Sequence, residues 1–186
     1  MIKLIFTLLS INCLLFGQIR VGFDINGKAK FTAQTSFTAD VESGIVIGYD
    51  YVIQDQEELK FGVGGEFMLG RGFEDFGTGN GSFHSVYGFG KYSLNEKAYG
   101  FGRVGYNSYT GDDDYTDTGS SLIDMELTGG MMYAFGGGFS MTPKISFEGL
   151  FASHSGKAIF DIGSGYGDIT AKLTYTRISL GIVYIL

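Results

Sequence analysis

Residues 19–41 read IRVGFDINGKAKFTAQTSFTADV, and their polarity alternates with a period of two residues. Nearly every odd position is apolar or small, whereas the even positions are mostly charged or hydrogen-bonding. Successive side chains of a β-strand point to opposite faces, so this stretch has one apolar and one polar face. A helix would scatter the same residues around its circumference. We therefore predict one long strand over residues 19–41.

Seven further segments are predicted to be strands, and most of them repeat this alternation. The apolar residues of 44–53 lie on one side and Asp50 on the other. The phase of the alternation changes near Thr176 and Arg177, which predicts a β-bulge or a bend. The facing of the fourth and fifth strands is ambiguous. The seven segments are residues 44–53, 59–70, 82–94, 98–109, 123–140, 144–153 and 169–186.

The connections between these strands alternate in length. From the second onward they are short, then long, in strict order. Tight turns at one rim and longer loops at the other are typical of a transmembrane barrel, with both termini on the periplasmic side. The exception is the first connection, residues 40–43, which is short although it belongs to the long-loop side. The others are residues 55–58, 71–81, 95–97, 110–121, 141–143 and 156–168.

The composition decides which face points outward. The 186 residues include 31 Gly, 17 Phe and 12 Tyr. An eight-stranded barrel has an interior only just wide enough for side chains, so the bulky apolar faces of five or more strands do not fit inside. They must face lipid, and the polar faces must line the lumen. We predict an all-β fold, an eight-stranded antiparallel up-and-down transmembrane β-barrel.

The N-terminus resembles a secretory signal peptide. Lys3 precedes an apolar run over residues 4–16, and Gly17 offers a small residue for cleavage. We assign residues 1–18 to the signal peptide and residues 19–186 to the barrel. The single cysteine, Cys13, lies inside this segment and leaves the mature chain without a disulfide; lipidation of Cys13 is the alternative. The net charge of −7 argues against a nucleic-acid partner.

Three stretches resemble a known family: the hairpin over residues 91–100, the strand over residues 103–107 and the last eight residues, SLGIVYIL. They are similar to the small outer-membrane β-barrels that include the OmpX, OmpA-domain and OmpW-type proteins. Gly181, Tyr184 and Leu186 match the terminal signal read by the outer-membrane assembly machinery, although Phe is usual in the last position. The resemblance implies a bacterial outer-membrane location and, as partners, outer-membrane lipid and lipopolysaccharide, that machinery and periplasmic chaperones. We expect a monomer.

Charges on the predicted inner faces form the main candidate site. We hypothesise a ladder of ion pairs that plugs the lumen, since charges in a narrow interior must be paired or hydrated. The alternative is a set of independent hydrated charges along a thin file of water. Lys91 and Arg103 join the set only if the facing implied by the family resemblance holds. The full set is Lys60, Glu66, Lys91, Arg103, Glu126 and Glu148.

Other candidate sites are weaker. His84 and His154 lie beside serines near the long-loop ends of their strands, where some family members carry a lipid-modifying centre. The acidic residues Asp112, Asp113, Asp114 and Asp117 lack the ligand spacing of a calcium loop. The Gly-x-Gly repeats fall inside strands rather than before a helix, so they do not predict a phosphate loop. We predict no cofactor, no metal site and no catalytic residue.

Three functions are compatible with this sequence. The leading hypothesis is a non-enzymatic barrel whose loops at residues 71–81, 110–121 and 156–168 contact the environment or stabilise the envelope. The second, implied by the OmpW-type resemblance, is a narrow channel for small or apolar solutes. The third is a lipid A-modifying enzyme that uses His84 or His154. The sequence does not choose between the first two, because the loops carry the specificity.

Overall fold

The computed structural model describes residues 17–72, 80–111, 124–161 and 168–186, and nearly all of them lie in β-strands. Within those ranges, no helix is long and apolar enough to span a membrane. The strands are β1 Gly17–Thr32, β2 Ser36–Val41, β3 Gly44–Asp55, β4 Leu59–Met68, β5 Arg71–Gly72, β6 Asn80–Ser93, β7 Ala98–Gly111, β8 Asp124–Thr128, β9 Gly130–Ser140, β10 Ile145–Asp161 and β11 Asp168–Ile185.

These segments form the wall of one closed barrel, which the chain crosses eight times. We call each passage of the chain along the wall a stave. Brief interruptions split three staves into β2 with β3, β4 with β5, and β8 with β9. All the pairings are antiparallel, in the order β1, β3, β4, β6, β7, β9, β10, β11. The pairing of β11 with β1, from Gln18 opposite Ile185 to Thr32 opposite Lys172, closes the barrel. The predicted fold class is confirmed.

Both ends of the described chain lie at the short-turn end of the barrel. The backbone N–H of Leu186 donates to the carbonyl of Gly17 at 3.1 Å. Residues 56–58, 94–97 and 141–144 connect strands at this same end. Three connections at the other end fall in residues 73–79, 112–123 and 162–167, outside the described residues. The barrel therefore has the predicted sidedness.

The first predicted strand is wrong, because it contains a hairpin. Residues 33–35 turn the chain, and Phe31 of β1 lies opposite Phe37 of β2. Across a turn of three residues, odd-numbered residues of one strand lie opposite odd-numbered residues of the next and share a face with them. The period-two pattern therefore continues through the turn, and the sequence does not reveal it. The interruption at residues 42–43 lies within the second stave and is not the connection.

The three predicted long loops each begin within a strand of the structure. Arg71 and Gly72 form β5, and β6 already begins at Asn80. At the same end of the barrel, β7 continues to Gly111 and β10 to Asp161. These strands carry the barrel wall past the positions where the sequence predicted loops.

A belt of exposed apolar side chains surrounds the barrel. Val86 is 67% exposed and Phe135 is 65% exposed. An apolar surface of this size on a closed barrel is the lipid-facing band of a membrane protein. Its members include Val21, Phe23, Ile47, Phe61, Val63, Phe67, Val104, Tyr106, Tyr133, Phe147, Leu180 and Ile182.

At the long-loop end the polarity of the two faces reverses. A one-residue bulge at Ile25 separates Asp24, opposite Ser179, from Asn26, opposite Ile178. Beyond the bulge, Phe31 is buried inside the barrel and Lys30 is exposed outside. We call this part the collar: residues 27–41, 124–128, 155–161 and 168–176. The collar is therefore built like a soluble protein, with a polar outer face and an apolar interior, and we infer that it extends beyond the lipid.

The bulge predicted near Thr176 and Arg177 is therefore wrong. Along β11 the facing is unbroken, with Leu173 and Arg177 both buried inside. The sequence pattern changes there because β11 leaves the lipid, so its outward residues become polar while its backbone keeps its phase. The bulge itself lies on the neighbouring strand β1.

A second bulge lies between β8 and β9. Thr128 pairs with Lys157 and Met132 pairs with His154, so β8 and β9 hold one extra residue there. Leu127 consequently faces inward, whereas Met131 faces outward. The prediction of one apolar face through residues 123–140 is wrong for this reason.

The interior of the collar is an apolar core. Phe31, Leu173 and Ala158 are fully buried there. Phe83 stacks on Tyr175 with ring centroids 5.4 Å apart. The whole cluster comprises Ala29, Phe31, Ala39, Val41, Val46, Met68, Phe83, Leu127, Ala158, Ala171, Leu173 and Tyr175.

Candidate functional site

Nine charged side chains form a continuous ladder inside the barrel, below the collar core. Their signs alternate at every step, and each consecutive pair is within ion-pair distance. None of the nine residues is more than 8% exposed. We call this set the charge ladder; in order, its members are Lys91, Glu148, Arg103, Asp50, Arg20, Glu66, Arg177, Asp24 and Arg71.

The end of the ladder nearest the short turns is organised around Glu148. Lys91 Nζ lies 3.3 Å from one carboxylate oxygen, and Arg103 Nη2 lies 3.0 Å from the other. The Tyr99 hydroxyl donates to Glu148 at 3.1 Å. Arg103 continues the ladder to Asp50 at 3.5 Å. Each oxygen of Glu148 therefore faces a cation.

The centre of the ladder is organised around Arg20 and Glu66. Arg20 donates to Asp50 at 3.3 Å and to Glu66 at 2.9 Å. The Tyr87 hydroxyl accepts from Arg20 at 3.0 Å and donates to Asp50 at 2.7 Å. Arg177 binds the second carboxylate oxygen of Glu66. The two arginines therefore share Glu66, one on each oxygen.

Asp24 joins the ladder to the base of the collar. Arg177 Nη1 donates to it at 2.8 Å, and Arg71 and the Ser179 hydroxyl bind it too. Arg71 also donates to the Tyr175 hydroxyl at 3.0 Å. Since Tyr175 belongs to the collar core, the polar and apolar fillings of the barrel meet at this contact.

Glycines leave room for the ladder in the wall of the lumen. A Cβ atom on Gly48 would lie 2.5 Å from Nη2 of Arg20, and one on Gly64 would lie 2.6 Å from the Tyr87 ring. Real Cβ atoms do not approach so closely. The strand glycines therefore permit a close approach of side chain to backbone, as expected for glycine within a strand.

Comparisons with known proteins match this architecture. The chain is similar to the outer membrane protein AlkL, solved in DMPC lipid bilayers, with TM-score 0.54, 12% identity, and 91% of this chain and 90% of that chain covered. It is also similar to the outer membrane protease OmpT from Escherichia coli, with TM-score 0.51, 10% identity and coverage of 91% and 96%. A third similar structure is Ail, the attachment invasion locus protein of Yersinia pestis, with TM-score 0.49, 15% identity and coverage of 90% and 97%.

The chain is an outer-membrane β-barrel. The closed eight-stave wall, the lipid-facing belt and the similarity in fold agree on this point, and they confirm the fold class and outer-membrane location predicted from sequence. No family model and no curated protein sequence matches the chain. At these levels of identity the similarity extends to the fold alone.

The structure of this outer-membrane barrel brings four of the six predicted lumen charges together. Glu66, Lys91, Arg103 and Glu148 all belong to the charge ladder. Lys60 lies outside it, at the short-turn end, where it pairs with Asp55 at 2.7 Å.

The prediction for Glu126 is contradicted. Its side chain is exposed on the outer wall, because the extra residue at Gly129 reverses the facing of β8 relative to β9. The sequence alternates through this bulge and does not reveal it.

Five ladder residues were not included in the prediction: Arg20, Asp24, Asp50, Arg71 and Arg177. The alternation placed Arg20, Asp24 and Asp50 on polar strand faces, so they could have been found by requiring each inner charge to have a partner. Arg71 falls in a predicted loop, and Arg177 falls at the change of phase in the sequence pattern. Their positions depended on strand ends that the sequence did not show.

The two histidines lie on opposite faces of the barrel wall. His154 is fully buried in the lumen, and its Nε2 accepts a hydrogen bond from Arg177 Nε at 3.2 Å. His84 lies on the outer wall and stacks on Phe67 with ring centroids 4.3 Å apart. The neighbouring Ser85 points inward. The structure does not combine the histidines into one site.

The C-terminal residues continue the lipid-facing belt to the short-turn rim. Tyr184 is outward and exposed, and the ammonium of Lys144 lies 5.7 Å from its ring centroid. Leu186 is also exposed, whereas Gly181 pairs with Gly22 and Glu148. Tyr184 and Leu186 therefore share the outer face, and their role as an assembly signal stays a prediction.

Several predictions fall on residues that the structure does not describe. They concern the signal peptide, apart from Gly17 and Gln18, which lie in β1, together with Cys13 and the acidic cluster at residues 112–117. Among the residues that are described, no group of three or more His, Cys, Asp or Glu side chains could hold a metal ion.

Proposed function

We propose that this outer-membrane barrel is a sealed, non-enzymatic protein that stabilises the envelope and presents its collar and outer loops to the environment. The observation that carries the proposal is the filling of the lumen. The charge ladder occupies its middle, and the apolar collar core lies between the ladder and the long-loop end.

Two cavities among the described residues of the barrel interior support the seal. A cavity of about 190 Å³ at the short-turn mouth is lined by Gln18, Lys60, Lys91 and Lys97, among others. A second cavity, beside Arg20 and Arg177, measures about 10 Å³. That volume holds about one water molecule. Ions would have to cross the paired charges and then an apolar core.

The surroundings of His154 support a role without catalysis. A general base needs a free lone pair within reach of the proton that it removes. The Nε2 atom of His154 is already an acceptor for Arg177, and the residue has no exposed surface. The fold by itself does not decide the matter, because a protease shares it.

The collar gives the outer loops a rigid base. Its polar outer face and apolar core extend the wall beyond the lipid, and residues 73–79, 112–123 and 162–167 connect strands at this end. During biogenesis, we expect periplasmic chaperones to carry the unfolded chain and the assembly machinery to bind Gly181, Tyr184 and Leu186.

Planar-bilayer recordings test the seal. We expect no conductance steps from the wild type, nor from Arg103→Ala or Glu126→Ala, because the collar core stays in place. Combining Arg103→Ala with Phe31→Ala and Leu173→Ala should produce resolvable conductance steps. This triple variant shortens side chains in both the charge ladder and the collar core. Gel migration without boiling verifies that each variant is folded.

Steady conductance by the wild type, or wild-type uptake of a small apolar solute into liposomes above the empty-liposome rate, would favour the channel hypothesis. A folded triple variant that stays silent would show that the ladder and the collar core are not the barriers.

A further inference from the structure

Four lysines lie together on the outer wall of the collar: Lys28, Lys30, Lys157 and Lys172. The chain has 13 basic residues, and the other nine are elsewhere. Five are in the charge ladder, Lys3 precedes the described residues, and Lys60, Lys97 and Lys144 lie at the short-turn end. The basic residues of the long-loop end outside the lumen are therefore confined to β1, β10 and β11, which are neighbours in the sheet.

The strand register concentrates this charge. Lys157 lies directly opposite Lys172 across β10 and β11. Like charges directly opposite each other destabilise a sheet. Lys28 pairs with Asp40 at 3.1 Å. Among carboxylates whose side chains the structure describes, none forms an ion pair with Lys30, Lys157 or Lys172. Three lysines of the patch are therefore without an ion pair to these carboxylates, in a chain whose net charge is −7.

Hydroxyl groups lie between the lysines on the same face. Thr32 is opposite Lys172, and Thr174 lies between Lys30 and Ser155 in the register. Ammonium groups with neighbouring hydroxyl donors suit an oxyanion with several acceptor oxygens, such as a phosphate. The outer face of the collar thus has the chemistry of a phosphate-binding surface.

The height of the patch indicates where that phosphate is located. Ile178 is the outermost apolar residue of the belt on β11, and Thr176, Thr174 and Lys172 follow on the same face. At about 3.3 Å per residue and a tilt of about 40°, Lys172 lies roughly 15 Å above Ile178, and Thr176 roughly 5 Å above it. Lys28 is opposite Thr176. This interval covers the polar headgroup layer and the region just outside it.

We infer that the collar lysines bind the phosphorylated headgroup of a lipopolysaccharide-type glycolipid in the outer leaflet. The long-loop end of an outer-membrane barrel faces the outside, so the patch borders that leaflet. The lysines point sideways from the wall, toward neighbouring lipids. Lys30, Lys157 and Lys172 pair with the phosphates, while the acyl chains lie on Ile178, Leu180 and Phe151 below. This inference is independent of whether the lumen conducts.

The test compares two triple variants of equal charge change. Lys30→Gln, Lys157→Gln and Lys172→Gln remove the three patch lysines that have no ion pair and leave Lys28 with Asp40. Lys60→Gln, Lys97→Gln and Lys144→Gln remove three lysines at the opposite rim. Native mass spectrometry in detergent measures the binding of diphosphoryl lipid A and of lipid A from which both phosphates have been removed. We expect the wild type to bind the diphosphoryl form about tenfold more tightly. The collar variant should lose that preference, and the rim variant should keep it within about twofold.

Three outcomes would overturn the inference. The first is equal affinity of the wild type for both forms of lipid A, and the second is an equal loss in the rim variant. The third is displacement of lipid A by a soluble sulfated oligosaccharide at matched charge concentration, which would assign the lysines to a soluble polyanion. Unboiled gel migration shows that both variants are folded.

Discussion

Replacing Glu66 by glutamine is expected to lower the free energy of unfolding by about 3–5 kcal/mol, the range for breaking a buried ion pair. The two oxygens of Glu66 each bind a different arginine, Arg20 at 2.9 Å and Arg177 on the other side. Removing the negative charge leaves both guanidinium groups buried without this partner. Urea unfolding in lipid vesicles, followed by the gel shift of unboiled samples, measures the loss.

Glu126→Gln is the matched control, because it makes the same chemical change at an exposed position on the collar. Exposed substitutions of this kind usually change stability by less than about 0.5 kcal/mol. Equal losses in the free energy of unfolding of the two variants would mean that Glu66 is not held in a buried ion pair. That result would contradict the charge ladder.

Replacing Leu180 by lysine should cost about 1–3 kcal/mol, between the cost of a lysine on the lipid face at the bilayer midplane, about 2–4 kcal/mol, and the cost near the interface, about 0–1 kcal/mol. Leu180 points outward from β11 and is 56% exposed, between Ile178 and Ile182 of the belt. The ammonium group would be placed in hydrocarbon, where it has no hydration. The same vesicle unfolding assay reports the cost.

Thr170→Lys is the control on the same strand and the same outward face, ten residues closer to the outside and directly opposite Ile159 rather than a lysine. Because the collar stands in water and headgroups, we expect a change within about 0.5 kcal/mol. A loss at position 170 that equals the loss at 180 would place the collar in hydrocarbon. The boundary between belt and collar would then be wrong, and so would the height assigned to the lysine patch.

The charge ladder is better explained by strand register than by stability alone. Apolar residues of similar volume often replace buried ion pairs without loss. In this barrel, however, the outer face of each stave is already apolar, so an apolar inner face would make its two faces alike in polarity. A strand shifted by one residue would then meet no penalty. Alternating partners such as Glu66 between Arg20 and Arg177 make a shifted register costly.

Much of the fold and part of the site could be predicted from the sequence. Period-two alternation identified the staves, the connection lengths identified the two ends, and the bulk of the apolar faces showed that they point outward. The same alternation placed Glu66 and Glu148 on inner faces. These inferences succeed because they depend on local geometry, in which neighbouring side chains of a strand point to opposite sides.

The sequence by itself determined that the chain forms a lipid-facing barrel with a polar interior. Only the tertiary structure decided where the chain turns at residues 33–35, where bulges at Ile25 and Gly129 reverse the facing, and which charges meet across the lumen. Alternation shows which residues of a strand share a face, but it does not show which face points inward. An extra residue reverses the facing of the strand, and a change from lipid to water reverses the polarity of the outer face. For that reason Glu126 lies outside the barrel, whereas Arg71 and Arg177, distant in sequence, meet at Asp24.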